Sequence, residues 1–317
     1  MNEYRNTEII NPKLLKLHTE MRNPDTVGIA DASAMEMVRM INNEDKKVAL
    51  RVEEALPSIA AAIDYILPRM EKGGRMVYMG AGTSARLGFA DAAECPPTYG
   101  VKEDTVTCIM AGGRNCVFKA NESIEDLEAR AVEDLKEFGL TPLDTVVAVA
   151  ASGRTPYCVS ALKYAASIGA GNVAIACNPD SEMGAVSDIA IEIDTGAEAV
   201  MGSTRMKAGT AEKMVMNMLS TCLMIKLGRI GTNILVKRGH YKNNNTKIIG
   251  RRIRTFAELI QNNDLKYAKE CLEKANGCCM CAALVELCGL SYEKAEDICV
   301  RSDNNFGYAM KLAREEA

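Results

Sequence analysis

Between Arg75 and Asp194 the chain switches repeatedly between two hydrophobic periods, and few folds tolerate that. Short β-rich runs occur at Arg75–Gly80 (RMVYMG), Thr105–Met110 (TVTCIM), Thr145–Ala150 (TVVAVA), Asn172–Cys177 (NVAIAC) and Asp188–Asp194 (DIAIEID). Segments with apolar residues at helical spacing lie between most of them, at 84–94, 122–138 and 155–168. Near-continuous apolar strands joined by helices predict an α/β fold: a doubly wound, parallel, five-stranded sheet covered by helices on both faces. Ahead of the sheet, Val48, Val52, Leu56, Ile59, Ile63 and Ile66 recur at steps of three and four, which is one apolar helical face. Pro57 suits the start of a second helix there. A long Met-rich helix is expected from about Arg205 to Leu227, its methionines serving the core or a subunit interface. The polar, basic stretch Lys237–Thr246 (KRGHYKNNNT) suits a loop, and the remainder to Ala317 reads as helical. The expected organisation is a helical N-terminal segment (1–63), the sheet domain (64–228) and a small all-helical C-terminal region (229–317).

Composition narrows the function. The formal charge of −4 leaves no electrostatic footprint for nucleic acid or an anionic membrane. No apolar run reaches the roughly 18 residues that span a bilayer, and no signal peptide is visible, so a cytoplasmic protein is expected. Trp is absent, and the core must be built from aliphatic residues, Ala and Met. Twelve cysteines in such a chain are expected to be reduced thiols. Cys271, Cys278, Cys281 and Cys288 have a spacing open to a zinc site or to a buried helical stripe; a single C-x-x-C favours the stripe. With only His18 and His240 in the chain, chemistry that depends on imidazole has little to work with.

In an open parallel sheet, ligands bind beyond the carboxyl ends of the strands. Three loops there carry anion-binding residues. In Gly80-Ala-Gly-Thr-Ser84, Thr83, Ser84 and the amides of a helix start are available. The loop half-matches the dinucleotide pattern G-x-G-x-x-A. However, the second strand ends in Ala111-Gly-Gly-Arg114, with no acidic residue for a ribose. In Ala151-Ser-Gly-Arg-Thr155, Ser152, Thr155 and the Gly153 amide are candidate donors, although a Ser or Thr helix cap is the commoner use of such residues. In Gly202-Ser-Thr-Arg-Met-Lys207, Arg205 and Lys207 add positive charge. Two hydroxyl-rich loops after separate strands favour a phosphosugar site.

Longer motifs carry a resemblance. Gly80–Gly100 (GAGTSARLGFADAAECPPTYG), Ala150–Tyr157 (AASGRTPY), Gly202–Lys213 (GSTRMKAGTAEK), Asn42–Asp45 (NNED) and Glu122–Asp126 (ESIED) closely resemble the N-acetylmuramic acid 6-phosphate etherases of the sugar isomerase (SIS) superfamily. The similarity runs from about residue 35 to about residue 230. The resemblance implies an enzyme that cleaves the lactyl ether of a phosphorylated amino sugar without cofactor or metal. It also implies a homodimer. The family's two catalytic glutamates fall on Glu94 and Glu125, and its phosphate-loop positions on Ser84, Ser152 and Thr155. Ser123 and Ile124 depart from the small residues of the second glutamate motif.

The residues themselves allow a division of labour. Pro96-Pro97 is expected to end the first sheet helix, leaving Glu94 at its negative end, where a protonated acid is favoured. Asn121 or Ser123 is expected to cap a helix with Glu125 in its first turn, where the anion is favoured. An acid facing a base suits an elimination. A sugar-phosphate isomerase, or a sugar-phosphate sensor like the glucokinase regulatory proteins, are the rival readings. No helix-turn-helix with a basic face supports a DNA-binding regulator.

Overall fold

The computed structural model describes residues 17–119, 124–230, 234, 236, 246–303 and 305–316. The basic stretch 237–245 and the proposed cap residues Asn121 and Ser123 lie outside the described residues. The chain packs as two compact units. One holds the described residues up to Ala92 with Asp104–Ser220, and the other holds Ala93–Glu103 with the described residues from Thr221 onward. These units cut the chain differently from the three segments 1–63, 64–228 and 229–317.

The first unit begins with short 3-10 turns and two helices, α1 (Ala34–Glu54) and α2 (Leu56–Glu71). A capping box starts α1: the Ser33 hydroxyl accepts from the Glu36 amide, while the Glu36 carboxylate accepts from the Ser33 amide at 2.8 Å. The expected apolar stripe is present, with one correction. The chain breaks at Ala55 and Pro57 occupies the first turn of α2, so Leu56 turns out of the stripe and is exposed.

Five strands follow: β1 (Met76–Gly80), β2 (Val106–Met110), β3 (Thr145–Ala150), β4 (Gly171–Ala176) and β5 (Ile189–Glu192). All neighbours are parallel, in the order β2-β1-β3-β4-β5. Between the strands run α3 (Gly82–Tyr99), a short α4 (Asn115–Phe118), α5 (Glu128–Phe138) and α6 (Pro156–Ser167), with α7 (Lys207–Lys226) after β5. The period of two decides which side chains each face receives. Met79, Val146, Ala148 and Ala150 pack with Leu135 of α5 and Tyr157, Cys158 and Leu162 of α6. On the opposite face Tyr78 reaches α3 and α7, its hydroxyl donating to Asp91 Oδ2 at 2.8 Å and to the Met216 carbonyl at 3.1 Å. Asn217 and Ser220 also donate to Asp91, which locks α7 onto α3.

In the second unit, α8 (Thr246–Leu259), α9 (Leu265–Lys274), α10 (Cys279–Cys288), α11 (Tyr292–Arg301) and α12 (Phe306–Glu316) surround their own core. Cys271, Cys278, Cys281 and Cys299 are buried there with Phe256, Leu284 and Ile298. Cys288 is half-buried against this core, and the four cysteines of the expected stripe do not share one helix: Cys271 lies on α9, Cys278 caps α10, and Cys281 and Cys288 lie on α10. Among the described residues no group of His, Cys, Asp and Glu is arranged to hold a metal ion, and no helix is long and apolar enough to cross a membrane.

The start of the sheet depends on a buried carboxylate. Asp144, just before β3, accepts from the Arg75 amide and guanidinium (2.7–3.0 Å) and from the Thr141 amide and hydroxyl (2.8 and 3.0 Å). Burial pushes its pKa up, but these donors outweigh burial and hold it below the ordinary carboxylate value. Asp144→Ala should therefore lose about 3 kcal/mol in urea unfolding at neutral pH. Because the folded value is lowered, the stabilisation is present above the ordinary carboxylate range and lost as pH falls through it. The gap between wild type and Asp144→Asn should close in acid, and a gap that persists there would contradict this assignment.

Candidate functional site

The strand order places one topological switch point in the sheet. From β1 the chain moves through α3 to β2 on one side; from β3 it moves through α6 to β4 on the other. The loops after β1 and β3 therefore leave neighbouring strands at the carboxyl edge, where ligands of such sheets bind. The two strands are in register, Gly80 beside Val149. A methyl group added at Gly80 would lie 2.7 Å from the Val149 carbonyl oxygen, so only glycine lets the strands approach this closely.

The first loop turns at Gly82 (φ +52°) directly into α3, so the first-turn amides have no acceptor within their own helix. Thr83 is half-buried beside α7: its Cγ2 would lie 3.6 Å from a methyl group added at Gly209. Ser84 is buried, and its Oγ is hydrogen-bonded to Glu212 Oε1 of α7 at 2.9 Å. Glu212 is 1% exposed. Burial pushes its carboxyl up to about 8, with the Ser84 hydrogen bond opposing and the nearby Glu198 adding to the rise.

The second loop turns at Gly153, whose φ is +70°. Its amide was expected to be a phosphate donor, but it closes the turn onto the Ala150 carbonyl at 2.9 Å. Glycine is required for another reason as well: a methyl group there would lie 2.5 Å from Ser181 Cβ. Ser152 is half-buried, and its hydroxyl oxygen is 3.4 Å from the Arg154 amide. Thr155 is the N-cap of α6 but makes no side-chain cap hydrogen bond, which removes the commoner reading of that residue. Neither α3 nor α6 carries an acidic residue in its first turn. Helix α3 thus opens at the switch point with no acidic residue in its first turn, whereas α6 starts at Pro156, which has no N–H, and its Tyr157 and Cys158 amides are taken by the Glu125 and Thr155 carbonyls.

Glu125 is brought to this point by its backbone. Its carbonyl accepts from the Tyr157 amide in the first turn of α6 at 3.1 Å, and the Glu128 carbonyl accepts from the Ser160 hydroxyl at 2.9 Å. Ile124 packs into the core on one side of it, and the electrostatics of Glu125 reach the Cys158 thiol of α6. The expected first-turn position is not found. Glu125 lies in a turn and α5 starts three residues later, at Glu128. Docking on α6, not a helix of its own, sets its place.

The other placements also need correction. Helix α3 does not stop at Pro96-Pro97 but runs through both to Tyr99, ending where Gly100 turns (φ +69°) and donates to the Pro96 carbonyl. Two prolines in the final turns remove amide donors without breaking the coil. Glu94 is therefore more than a turn from the helix end and exposed, and the end-of-helix argument for a protonated acid loses its basis because that effect fades within the last turn. Glu94 belongs to the second unit, while the other candidates belong to the first.

At the third loop, the start of α7 is already occupied. Glu198 accepts from the Lys207 and Ala208 amides at 2.9 and 3.0 Å. Lys207, expected to add charge for an anionic sugar, is 3% exposed and donates to Glu44 Oε2 at 2.7 Å. It lines a cavity of about 330 Å³ with Asp25, Glu44 and Lys47, whose charges pair with one another. Arg205 is exposed in the turn ahead of α7.

The carboxyls missed from sequence are Glu198 and Glu212. Glu212 had a readable signal, since it falls in the apolar series Ala208, Ala211, Val215, Met216 and Leu219, a buried face where a carboxyl is out of place.

Comparison with known proteins agrees with this geometry. The SIS domain model matches residues 135–221, and the model of the glucokinase regulatory protein N-terminal SIS domain matches residues 58–166. The first unit is thus a SIS-type α/β domain. A Clostridium beijerinckii protein named N-acetylmuramic acid 6-phosphate etherase is 45% identical over 95% of this chain and 97% of its own. A Bacillus subtilis protein of the same name is 46% identical over 83% of this chain and 85% of its own. The chain belongs to the N-acetylmuramic acid 6-phosphate etherase family. The alignment with the Clostridium protein also reaches the C-terminal helices, beyond the 35–230 span of the motifs.

The Lys207–Glu44 pair yields a direct check. Burial opposes ionisation of Glu44, but its bonds to Lys207 and Lys47 hold its carboxyl down to about 2. Lys207→Met leaves that buried carboxylate short of a partner and should cost about 3 kcal/mol in urea unfolding. An unchanged unfolding midpoint would show that Lys207 is not holding α7 to α1.

Proposed function

We propose that the protein is an N-acetylmuramic acid 6-phosphate etherase, releasing D-lactate and N-acetylglucosamine 6-phosphate. The observation that carries the reading is the docking of Glu125 on the first turn of α6, next to the Ser152–Thr155 loop, in a chain 45% identical to a named etherase. The 6-phosphate sits between the start of α3 and the loop ahead of α6, held by Ser84, Ser152, Thr155 and the first amides of α3, with Thr83 beside them. Gly153 shapes this seat through its backbone.

The sugar opens to its aldehyde, which acidifies the proton on C2. Glu125 takes that proton as general base, and the electrons move to the carbonyl oxygen as an enolate. Arg205, exposed and positive, is the candidate for stabilising it. As the enolate collapses, the C3–O bond breaks and Glu94 gives its proton to the departing lactate oxygen. Water then adds its hydroxyl to C3 of the unsaturated aldehyde, its proton restoring Glu94, while Glu125 returns a proton to C2. The sum is addition of water across an ether, with no net oxidation, so these steps call for neither cofactor nor metal.

A cytoplasmic homodimer is part of the reading. All twelve cysteines are free thiols, which suits a reducing compartment. Exposed Met35 and Val38 give α1 an apolar face suited to a second copy.

Incubation with N-acetylmuramic acid 6-phosphate should release lactate, and in deuterated water the product should carry deuterium on C2. Glu125→Gln should lower the rate by roughly 10²- to 10⁴-fold and abolish C2 exchange. Glu94→Ala should slow lactate release while C2 exchange continues. Product without deuterium would refute the enolate route, and equal loss of exchange and release in the Glu94 variant would refute the division of roles.

A further inference from the structure

The phosphate seat has a buried carboxyl directly behind one of its hydroxyls. Glu212 contacts Ser84 Oγ at 2.9 Å, and the groups facing it carry no compensating positive charge. Ser84 contacts it from α3 and the Glu198 carboxylate acts on it from the segment ahead of α7, while its charge is felt by the buried Cys177 thiol just after β4 and by the Cys158 thiol of α6. On its own helix, Lys207 is paired with Glu44, and Lys213 is exposed with its charge acting on Asp91.

We propose that Glu212 is a positioning residue of the phosphate seat: its neutral carboxyl donates to Ser84 and aims the Ser84 hydroxyl at the sugar phosphate, and its ionisation reverses that bond and closes the seat to dianions. The inference rests on the reading of Ser84 as a phosphate ligand. A hydroxyl has one proton and two lone pairs. A neutral Glu212 supplies the proton of the Ser84–Glu212 bond, which leaves the Ser84 proton for a phosphate oxygen. An ionised Glu212 only accepts, so the Ser84 proton turns inward. The phosphate then meets oxygen lone pairs and, behind them, an unpaired buried anion. Burial without a cation keeps the carboxyl neutral at physiological pH and sets the reversal at about 8. The sugar phosphate completes its own ionisation lower, near pH 6, so the two titrations fall in separate windows.

Binding of N-acetylglucosamine 6-phosphate, followed by calorimetry from about pH 6 to about pH 9.5, separates the outcomes. In wild type the Kd should rise roughly tenfold or more between about pH 7 and about pH 9.5, the worth of a charge-assisted hydrogen bond. In Glu212→Gln the amide donates to Ser84 at every pH, and the ratio of the two Kd values should fall to about one. Ser84→Ala should bind weakly at all pH values. Should Glu212→Gln fail to fold, the infrared carbonyl band of a protonated glutamate in the wild-type protein gives the same information. That band should vanish with the midpoint at which binding weakens. The proposal is overturned if Glu212→Gln keeps the wild-type alkaline loss, or if no neutral carboxyl survives above the ordinary carboxylate range. Wild-type affinity in Ser84→Ala would instead remove the phosphate-seat reading itself.

Discussion

The close, in-register pairing of β1 with β3 is the constraint on which the rest of the molecule depends. It needs a glycine at position 80, because any side chain there meets the Val149 carbonyl. The loops into α3 and α6 then leave neighbouring strands at the carboxyl edge, and α3 begins there with first-turn amides that have no acceptor in their own helix. Everything else at the carboxyl edge fits around those two loops. Gly153 bends the second loop tightly enough to lie against Ser181, the Glu125 carbonyl is bonded to the first turn of α6, and Glu198 closes the N-terminus of α7.

Buried carboxyls divide the work by what faces them. Asp144 meets a guanidinium and Glu44 two ammonium groups, so both stay charged and hold elements together. Glu198 meets the backbone amides of a helix start, a partial positive charge that cancels the attraction α7 would otherwise have for an outside anion. Glu212 meets a serine and another carboxylate, and burial without compensation favours its neutral form. The same fold thus closes the start of α7 with a carboxylate and that of α6 with the Glu125 and Thr155 carbonyls, and leaves α3 without an acidic first-turn residue.

Much of the architecture was legible because parallel strands buried on both faces write themselves as apolar β-branched runs. Val146, Val147 and Val149 leave little choice of element. The hydroxyl loops were less legible, since a helix cap is the commoner use of a serine or threonine at a strand-to-helix junction, and only the structure shows that Thr155 makes no side-chain cap bond. What failed were inferences from single local rules. Pro96-Pro97 was taken to end a helix that in fact passes through both residues, since near its final turn the lost amides matter little. Glu125 was given a helix turn of its own, whereas a contact 32 residues away in sequence, to Tyr157, sets its position. Lys207 looked like a ligand for an anion because sequence does not show that Glu44, 163 residues earlier, has already claimed it. Long-range pairing of charge is the information that local pattern lacks.

The account stands most directly on where the sugar phosphate rests. A crystal structure with N-acetylglucosamine 6-phosphate bound should show phosphate oxygens within hydrogen-bond distance of Ser84 at the start of α3 and of Ser152 and Thr155 ahead of α6, with C2 of the sugar facing the Glu125 carboxylate. A phosphate lodged instead at the start of α7, or a sugar whose C2 lies beyond the reach of Glu125, would contradict it.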